Sequence, residues 1–433
     1  MDVLDTALEM LRQAGWAAVQ LLISPFYYAA LIVIALQYGR QTVLERRLFH
    51  VRLHGWQSQL LRSVLAGFAV GLAMSAAGLF LGISVTGEAV LWMWGAAALL
   101  ALVRVRFLCF AYGTGLLGVL QWALGWTALA QRGDWLGTAA ASLARLDIAG
   151  LLLLAALMHL AEALLVRRQG ARFASPLFLA GKRGKLIGAY ALQGFWPVPL
   201  LLLVPAAAGS GAETALPWPT LLGGGFTQQG AWTMIGFPVV IGFSELTRTM
   251  LPEMKARGVS ALLALYGAVL AGAAALAAFW PPFLLAAALL APLLHEGIML
   301  TGRLLEAGRS PRFTHDERGL CVLAVIPGTP AEAMGLQAGE ILQKVNGVRV
   351  GTKEELHAAL HVNSAFCRLE VMNLEGQVKF VQRARYAGEH HQLGVVLAPD
   401  EKANYYAAAR NLSLIGLLRR GRAARKRETP STM

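Results

Sequence analysis

The sequence contains few charged residues for its length. Of its 433 residues only 15% are Asp, Glu, Lys or Arg, and 56% are hydrophobic, whereas soluble domains carry about 25% charged residues. A soluble chain of this size needs a charged surface to cover its core, so the apolar excess predicts contact with lipid. This composition argues against a soluble enzyme, a secreted protein and a disordered protein.

Cysteine is also scarce. The three cysteines, Cys109, Cys321 and Cys367, are too scattered in sequence for a disulfide framework or a zinc knuckle. The sequence therefore predicts a protein that resides in a reducing environment and does not depend on disulfide bonds.

The basic residues are distributed unevenly along this chain of net charge +13. Residues 1–311 contain 21 basic and 13 acidic side chains, residues 312–400 contain 9 and 10, and residues 401–433 contain 8 and 2. This division predicts a polytopic transmembrane domain, a near-neutral globular domain and a basic membrane-proximal tail, in that order. No nucleic-acid recognition motif accompanies the tail, so we expect it to contact anionic lipid headgroups and not nucleic acid.

Apolar segments close to the length of a spanning helix, about 20 residues, recur through the first 300 residues. The seventh of them is interrupted by Gly236 and Pro238 and is the weakest. The nine segments are residues 17–38, 63–86, 88–103, 107–130, 147–166, 186–208, 231–246, 259–279 and 281–301. The sequence therefore predicts a polytopic α-helical membrane protein with about nine spans.

Lys and Arg in short loops mark the cytoplasmic side of a membrane. Basic residues cluster in every second loop, at 39–62, 104–106, 167–185, 248–257 and 303–312. The intervening loops carry almost none. This alternation predicts a multi-pass protein of the cell membrane, with its N-terminus outside and everything after residue 303 in the cytoplasm.

Beyond residue 312 the pattern changes to short strands separated by turn residues. The segment Gly319–Val325 is typical of a strand, an Asn-Gly turn follows a second strand at residues 346–347, and Lys353–His361 is typical of an amphipathic helix. The run GLCVLAVIPGTPAEAMGLQAGEILQKVNGVRV closely resembles a bacterial PDZ domain. The resemblance implies a small mixed α+β domain over residues 312–400 that binds peptides by strand addition.

In this domain the Pro-Gly strand comes first, which resembles the circularly permuted bacterial type. The ligand-binding strand and its carboxylate loop would then come last in the sequence, at Leu393, Gly394, Val395 and Val396. The resemblance implies that backbone N–H groups near Gly394 hold a terminal carboxylate.

The predicted helix of the domain also bears on this groove. Leu356 and Leu360 share one face of the predicted helix and would line the opposite wall. Two alternatives stay open. In the first, residues 393–397 form a closing core strand and bind no ligand. In the second, Arg318-Gly319-Leu320 is the carboxylate loop.

Ionisable residues inside predicted spans are functional candidates. A His and a Glu occur together in two spans, and a further Glu lies in the seventh. The residues of this intramembrane polar cluster are His159, Glu162, Glu245, His295 and Glu296. Both histidines precede an arginine by eight residues, so the two His-Glu pairs would lie at a similar depth.

Three interpretations of this cluster are open. It can be an interhelical hydrogen-bond network, a proton or ion path, or a zinc site built from His and carboxylate ligands. Position 299 is Met, so His295-Glu296 lacks the second His of the H-E-x-x-H motif. We therefore expect no catalytic residue, no metal and no cofactor.

Many spans followed by one cytoplasmic PDZ domain resemble the MinJ family, the cell-division topological determinants of Gram-positive rods. The similarity covers most of the chain, and its membrane part is carried by SPFYYAALIV, RRLFHVR, IGFSELTRTMLPEMK and APLLHEG. The resemblance implies a non-enzymatic scaffold that bridges the curvature-sensing protein DivIVA to the division inhibitor MinD and so restricts FtsZ-ring assembly.

Two other function classes remain open on the sequence. A degenerate intramembrane metalloprotease, or an accessory factor in membrane proteolysis, would also combine a PDZ domain with a His-Glu pair in a span. A transporter would need a midplane site between repeats, which the prolines of span six leave possible. We expect a scaffold, because the sequence has a docking domain and no complete catalytic constellation.

Overall fold

The structure is a computed structural model, and it describes residues 3–181, 185–205, 220, 232–363, 365–384 and 393–400. The predicted basic tail, residues 401–433, lies outside the described residues, as do residues 206–208 and 231 of two predicted spans.

The membrane region is built mainly from helices. They are α1 Val3–Ile23, α2 Pro25–Phe49, α3 Trp56–Leu81, α4 Gly87–Val103, α5 Phe110–Leu124, α6 Trp135–Ala144, α7 Ile148–Leu165, α8 Pro252–Phe279 and α9 Leu284–Ala307. Single turns of 3₁₀-helix lie at Val105–Leu108, Leu129–Gln131 and Pro281–Phe283, and a π-helical turn, Val166–Gly170, follows α7.

Among the described residues, α3, α7, α8 and α9 are long and apolar enough to cross a membrane. Helices α1 and α2 meet the same criteria only as a pair, which is bent by 54° between Ile23 and Pro25. The bend lies inside the predicted span 17–38. Proline disfavours a helical conformation at the residue before it and suits the first turn of a new helix, so α1 ends and α2 begins here.

The predicted spans at 186–208 and 231–246 are wrong as helices. The chain forms three antiparallel strands in the order β1-β2-β3, with β1 at Ala174–Ala180, β2 at Leu186–Pro205 and β3 at Trp232–Thr247. An apolar run alone does not distinguish a buried helix from a buried strand. Pro197 and Pro199 disfavour the helix, because each would remove an i→i−4 hydrogen bond and place its ring against the carbonyl four residues earlier. The expectation of about nine helical spans is therefore not confirmed.

One edge of β2 is covered by α3. Strand β1 pairs only with residues 186–192 of β2, which leaves the edge from residue 193 onward without a strand partner on that side. Phe195 N–H donates to the Tyr38 hydroxyl at 3.1 Å, and Leu201 N–H donates to Ser75 Oγ at 2.9 Å. In a strand, alternate residues point their N–H groups to the same edge, and the two positions between these donors are Pro197 and Pro199. From Phe195 to Leu201, the N–H donors on this edge are thus either hydrogen-bonded or absent.

Small residues allow α3 to lie close to this edge. A Cβ atom added at Gly67 would lie 2.1 Å from the Pro197 carbonyl oxygen, and one added at Gly71 would lie 2.4 Å from that of Pro199. The sequence spacing of Gly67, Gly71 and Ser75 is four residues, which places all three on one face of the helix.

The opposite side of the hairpin is packed against α1. A Cβ atom added at Gly236 of β3 would lie 2.2 Å from the carbonyl oxygen of Ala17, which is fully buried. Irregular or strand backbone is tolerated at membrane depth only where protein surrounds it. The two helices provide that cover for β2 and β3.

The C-terminal domain forms a second sheet with two helices. Its strands are β4 Leu320–Val325, β5 Ile341–Val345, β6 Val348–Arg349, β7 Phe366–Met372, β8 Val378–Ala384 and β9 Val395–Leu397, and its helices are α10 Pro330–Ala333 and α11 Lys353–Val362. The strand order is β8-β7-β5-β4-β9, with β6 paired to β5. Thr352 and Glu355 form a capping box at the start of α11, which stabilises the helix terminus.

This domain packs directly on the sheet of the membrane region. Phe313 is fully buried with its ring 5.2 Å from that of Tyr190, and the Gly188 N–H donates to the Phe313 carbonyl at 2.9 Å. The Tyr190 hydroxyl donates to the carbonyl of Leu323 in β4. Strand β2 therefore contacts the C-terminal domain at one end and runs along α3 toward the other.

The close approach of α3 to β2 makes a specific prediction. Replacing Gly71 by Ala places a Cβ against the Pro199 carbonyl and should destabilise the protein by about 1–3 kcal/mol. Gly78→Ala is the matched control, because nothing lies within 4 Å of a Cβ added there and alanine favours a helix over glycine by about 1 kcal/mol. Thermal unfolding of the detergent-solubilised chain, followed by tryptophan fluorescence, measures both. Equal stability of the two variants would contradict this packing.

Candidate functional site

A groove lies between β9 and α11 in the C-terminal domain. Strand β9 is the last strand of the described sheet and pairs on its other side with β4. Lys353, Leu356, His357 and Leu360 of α11 line one side of a cavity of about 340 Å³. The other side comes from the chain around β9, and the end of α2 and Phe178 of β1 complete the lining.

The predicted groove residues are brought together, but most are buried. Leu356, Leu360 and Leu393 belong to the core of the C-terminal domain, with Val395 packed against it. Val396 instead faces the core shared with the membrane region. Strand β9 thus closes a core as well as bordering the groove.

Gly394 occupies a conformation that few other residues adopt. Its φ is +90°, and an added Cβ would lie 2.2 Å from Thr329 Oγ1. The Leu393 carbonyl accepts from Ala331 N–H and the Gly394 carbonyl accepts from Ile326 N–H, both at 2.9 Å. The predicted carboxylate loop is therefore fixed against the Pro-Gly segment that follows β4.

The alternative carboxylate loop, Arg318-Gly319-Leu320, has its charge already paired. Arg318 Nε donates to Asp316 Oδ2 at 2.8 Å. Partial burial raises the pKa of Asp316, but hydrogen bonds from the side chain and backbone of Arg318 outweigh this effect and lower it. Leu320 is fully buried in the domain core, so this loop is the less suited of the two to an incoming carboxylate.

In the membrane region, His159 of α7 and His295 of α9 both point at Cys109, which lies just before α5. The Nε2 atom of His159 is 3.2 Å from Cys109 Sγ, and that of His295 is 4.0 Å away. The two imidazole centroids are 5.4 Å apart, and Tyr266 of α8 lies against both rings. His159 is 2% exposed.

Glu296 is part of a chain of polar contacts beside these histidines. The Tyr112 hydroxyl donates to Glu296 Oε1 at 2.8 Å and lies 3.0 Å from His295 Nδ1. Arg106 forms an ion pair with the same Glu296 oxygen. A cationic group thus neutralises this carboxylate, as expected for a charge within a helix bundle.

Glu162 and Glu245, the remaining two residues of the predicted cluster, lie to one side of the histidine group. Glu245 forms an ion pair with Lys255 at 3.1 Å, and Lys255 Nζ lies 3.9 Å from Glu306. Glu162 is close enough to both His159 and Glu245 to interact with each electrostatically. The five predicted residues therefore form two adjoining groups rather than one.

Sequence reasoning missed the residues that connect the histidines. The sequence identifies Cys109 only as one of three scattered cysteines and Arg106 only as a basic loop residue, and it assigns no role to Tyr112 or Tyr266. The spacing of three between Cys109 and Tyr112 was a usable signal, because residues three apart share a helix face.

These features define a class: a membrane-embedded helical protein that carries one protein-binding domain. The PDZ domain family model matches residues 322–370, which span β4 to β7.

The chain is 30% identical over 405 residues to the cell division topological determinant MinJ of Bacillus subtilis (strain 168), covering 93% of this chain and 98% of that protein. It is 27% identical to the probable cell division topological determinant MinJ of Lacticaseibacillus paracasei, covering 89% and 99%. The chain belongs to the MinJ family. No solved structure matches it.

The fixed position of Gly394 can be tested by substitution. Gly394→Ala should destabilise the PDZ domain by about 1–3 kcal/mol more than Gly376→Ala because of the collision with Thr329. Gly376 has a similar φ of +84° but open space around an added Cβ, so the two variants share the cost of a left-handed residue. Hydrogen exchange of β4 and β9 in the full chain measures the difference. Identical protection in both variants would contradict it.

Proposed function

We propose that this chain is a non-enzymatic membrane scaffold that recruits cytosolic proteins through its PDZ domain and acts in placement of the division site. The observation that carries the proposal is the position of the PDZ domain: its last strand and groove are held directly against the membrane region. Membership of a family whose members are named cell division topological determinants supports the same role.

The finer proposal concerns the partners. The chain bridges a DivIVA-like protein to a MinD-like protein, as its family resemblance implies. Both partners are cytosolic or membrane-associated, which suits a docking domain beside the membrane. One or both bind by adding a strand at β9, in the groove between Leu393–Val396 and the helix face of Leu356 and Leu360. The PDZ domain is then of the circularly permuted type, since its last strand pairs with its first.

The proposed arrangement in the membrane follows from charge. The N-terminus is outside, residues 312–400 are cytoplasmic, and the basic tail 401–433 binds anionic lipid headgroups. The contacts at the two ends of the β2–β3 hairpin are consistent with the alternation of basic and non-basic loops along the sequence. Tyr190 at one end of β2 contacts the PDZ domain, whereas the Leu203 carbonyl near the other end accepts from Val85 N–H just beyond α3. The hairpin therefore supplies two crossings as strands.

The rival function is that of a degenerate intramembrane metalloprotease or an accessory factor in membrane proteolysis. This alternative is based on His159 and His295, the two histidines within the helices. The missing second His of the H-E-x-x-H motif and the ion pair of Glu296 with Arg106 speak against it, because a general base needs a free carboxylate near its water.

A pair of His→Trp substitutions on one helix tests the scaffold. His357 lines the groove, whereas His361 is exposed one turn further along α11 and does not. His357→Trp fills the groove and should weaken co-purification of DivIVA-like and MinD-like proteins with the full chain at least tenfold, or about 1.4 kcal/mol. His361→Trp should leave it unchanged.

The same two variants, fused to a fluorescent protein, test the cellular role. The parent and His361→Trp proteins should concentrate at septa and poles, and His357→Trp cells should misplace division. Even distribution of the parent around the envelope with normal division after deletion would refute the scaffold. Cleavage of a membrane substrate that depends on Glu296 would establish the rival.

A further inference from the structure

The group Cys109, His159 and His295 has the composition of a transition-metal site. The three side chains come from different parts of the helix bundle, and their potential ligand atoms all lie within 4.8 Å of one another. This group is the only set of three or more such residues found together among the described residues. Thiolate and imidazole suit Zn²⁺ and similar ions and are poor ligands for Mg²⁺ or Ca²⁺.

The two sulfur–nitrogen distances are compatible with a single bound ion. With Zn–S near 2.3 Å and Zn–N near 2.0 Å in a tetrahedron, sulfur and nitrogen ligands lie about 3.5 Å apart. The observed Sγ···Nε2 separations of 3.2 Å and 4.0 Å lie on either side of that value. Changes of about 0.3–0.5 Å in these two distances would bring both to the tetrahedral value.

The second nitrogen of each ring supports this assignment. His159 Nδ1 lies 2.7 Å from the Ala155 carbonyl, which can only accept, so in the neutral imidazole this nitrogen carries the proton and Nε2 presents its lone pair to Cys109. Histidine ligands of metals characteristically donate their other N–H to a carbonyl, a carboxylate or water.

His295 is held in the same tautomer, with its proton on Nδ1, through a longer chain of hydrogen bonds. The single proton of the Tyr112 hydroxyl is donated to Glu296 at 2.8 Å, so the hydroxyl oxygen accepts from His295 Nδ1 at 3.0 Å. Arg106 forms an ion pair with the same Glu296 oxygen. Nε2 of His295 therefore also presents a lone pair to the cysteine.

Two lone pairs directed at one thiol cannot both be satisfied, because a thiol has a single proton. A cation removes this conflict, since it accepts both nitrogens and the thiolate at once. His159 is buried and the other two side chains are half-buried, so a polar group left without a partner there is costly.

We propose that Cys109, His159 and His295 bind one divalent transition-metal ion, of which zinc is the best match. Binding displaces the thiol proton to solvent and forms one Sγ–metal and two Nε2–metal bonds, without redox change. The ion joins the start of α5 to α7 and α9. The fourth coordination position is left for a water molecule. The proposal is independent of PDZ binding and replaces the sequence-based expectation of no metal.

Elemental analysis of the full chain tests the proposal, with the chain purified in detergent through a tag that contains no histidine. We expect about one zinc per chain. Cys109→Ser, His159→Ala and His295→Ala should each lose it, whereas Cys367→Ser, a change at a buried cysteine of the PDZ domain, should retain it. Metal content that is absent in the parent, or unchanged in the three ligand variants, would overturn the site.

Cobalt substitution keeps the test valid if a ligand variant folds poorly. The parent loaded with Co²⁺ should show the visible bands of a tetrahedral ion and a thiolate-to-cobalt charge-transfer band. Cys109→Ser, a near-isosteric change, should lose the charge-transfer band. A parent spectrum that lacks the band, or a Cys109→Ser spectrum that keeps it, would contradict thiolate ligation.

Tyr112→Phe separates a metal site from a simple hydrogen-bond cluster. The phenylalanine keeps the ring but removes the partner of His295 Nδ1, so metal affinity measured by chelator competition should fall about 10- to 100-fold. Tyr27→Phe is the matched control, because this tyrosine lies on α2 away from the site. Unchanged affinity in Tyr112→Phe would contradict the proposed support of His295.

Discussion

The structure depends on covering the edge of a strand that lies among membrane helices. Strand β2 runs beside α3, and an exposed edge there would leave backbone donors and acceptors without partners in an apolar medium. Tyr38 and Ser75 accept the N–H groups of Phe195 and Leu201, and prolines remove the donors between them. Gly67 and Gly71 let α3 approach the strand closely. The same sheet then supports Phe313 and the PDZ domain at its other end.

This arrangement connects the helix bundle to protein binding. The groove between β9 and α11 is bordered by the end of α2 and by Phe178 of β1, so membrane-region residues help to form its walls. A PDZ domain attached by a free linker would present its groove in any direction. Here the orientation is set by packing, which suits the proposed scaffold role. The Cys109 group lies elsewhere, among α5, α7 and α9, and does not border the groove.

The PDZ domain was predictable from sequence because its Pro-Gly and Asn-Gly turns and alternating strands have local signatures. The two strands β2 and β3 were not, because hydrophobicity measures burial and not backbone conformation; Pro197, Pro199 and Gly236 carried the missing information. In the polar cluster, His159, His295 and Glu296 were identified from their position within spans. Cys109 and Tyr112 were not, because their role depends on contacts between helices that are distant in sequence.

Hydrogen–deuterium exchange of the full chain in lipid nanodiscs tests the central claim most directly. If α1 and α3 seal the hairpin, the amides of residues 186–205 and 232–247 should exchange as slowly as those of α3 and α7, because opening them requires separating helices from the sheet. Exchange of the hairpin amides within seconds, while α3 and α7 stay protected, would contradict the account.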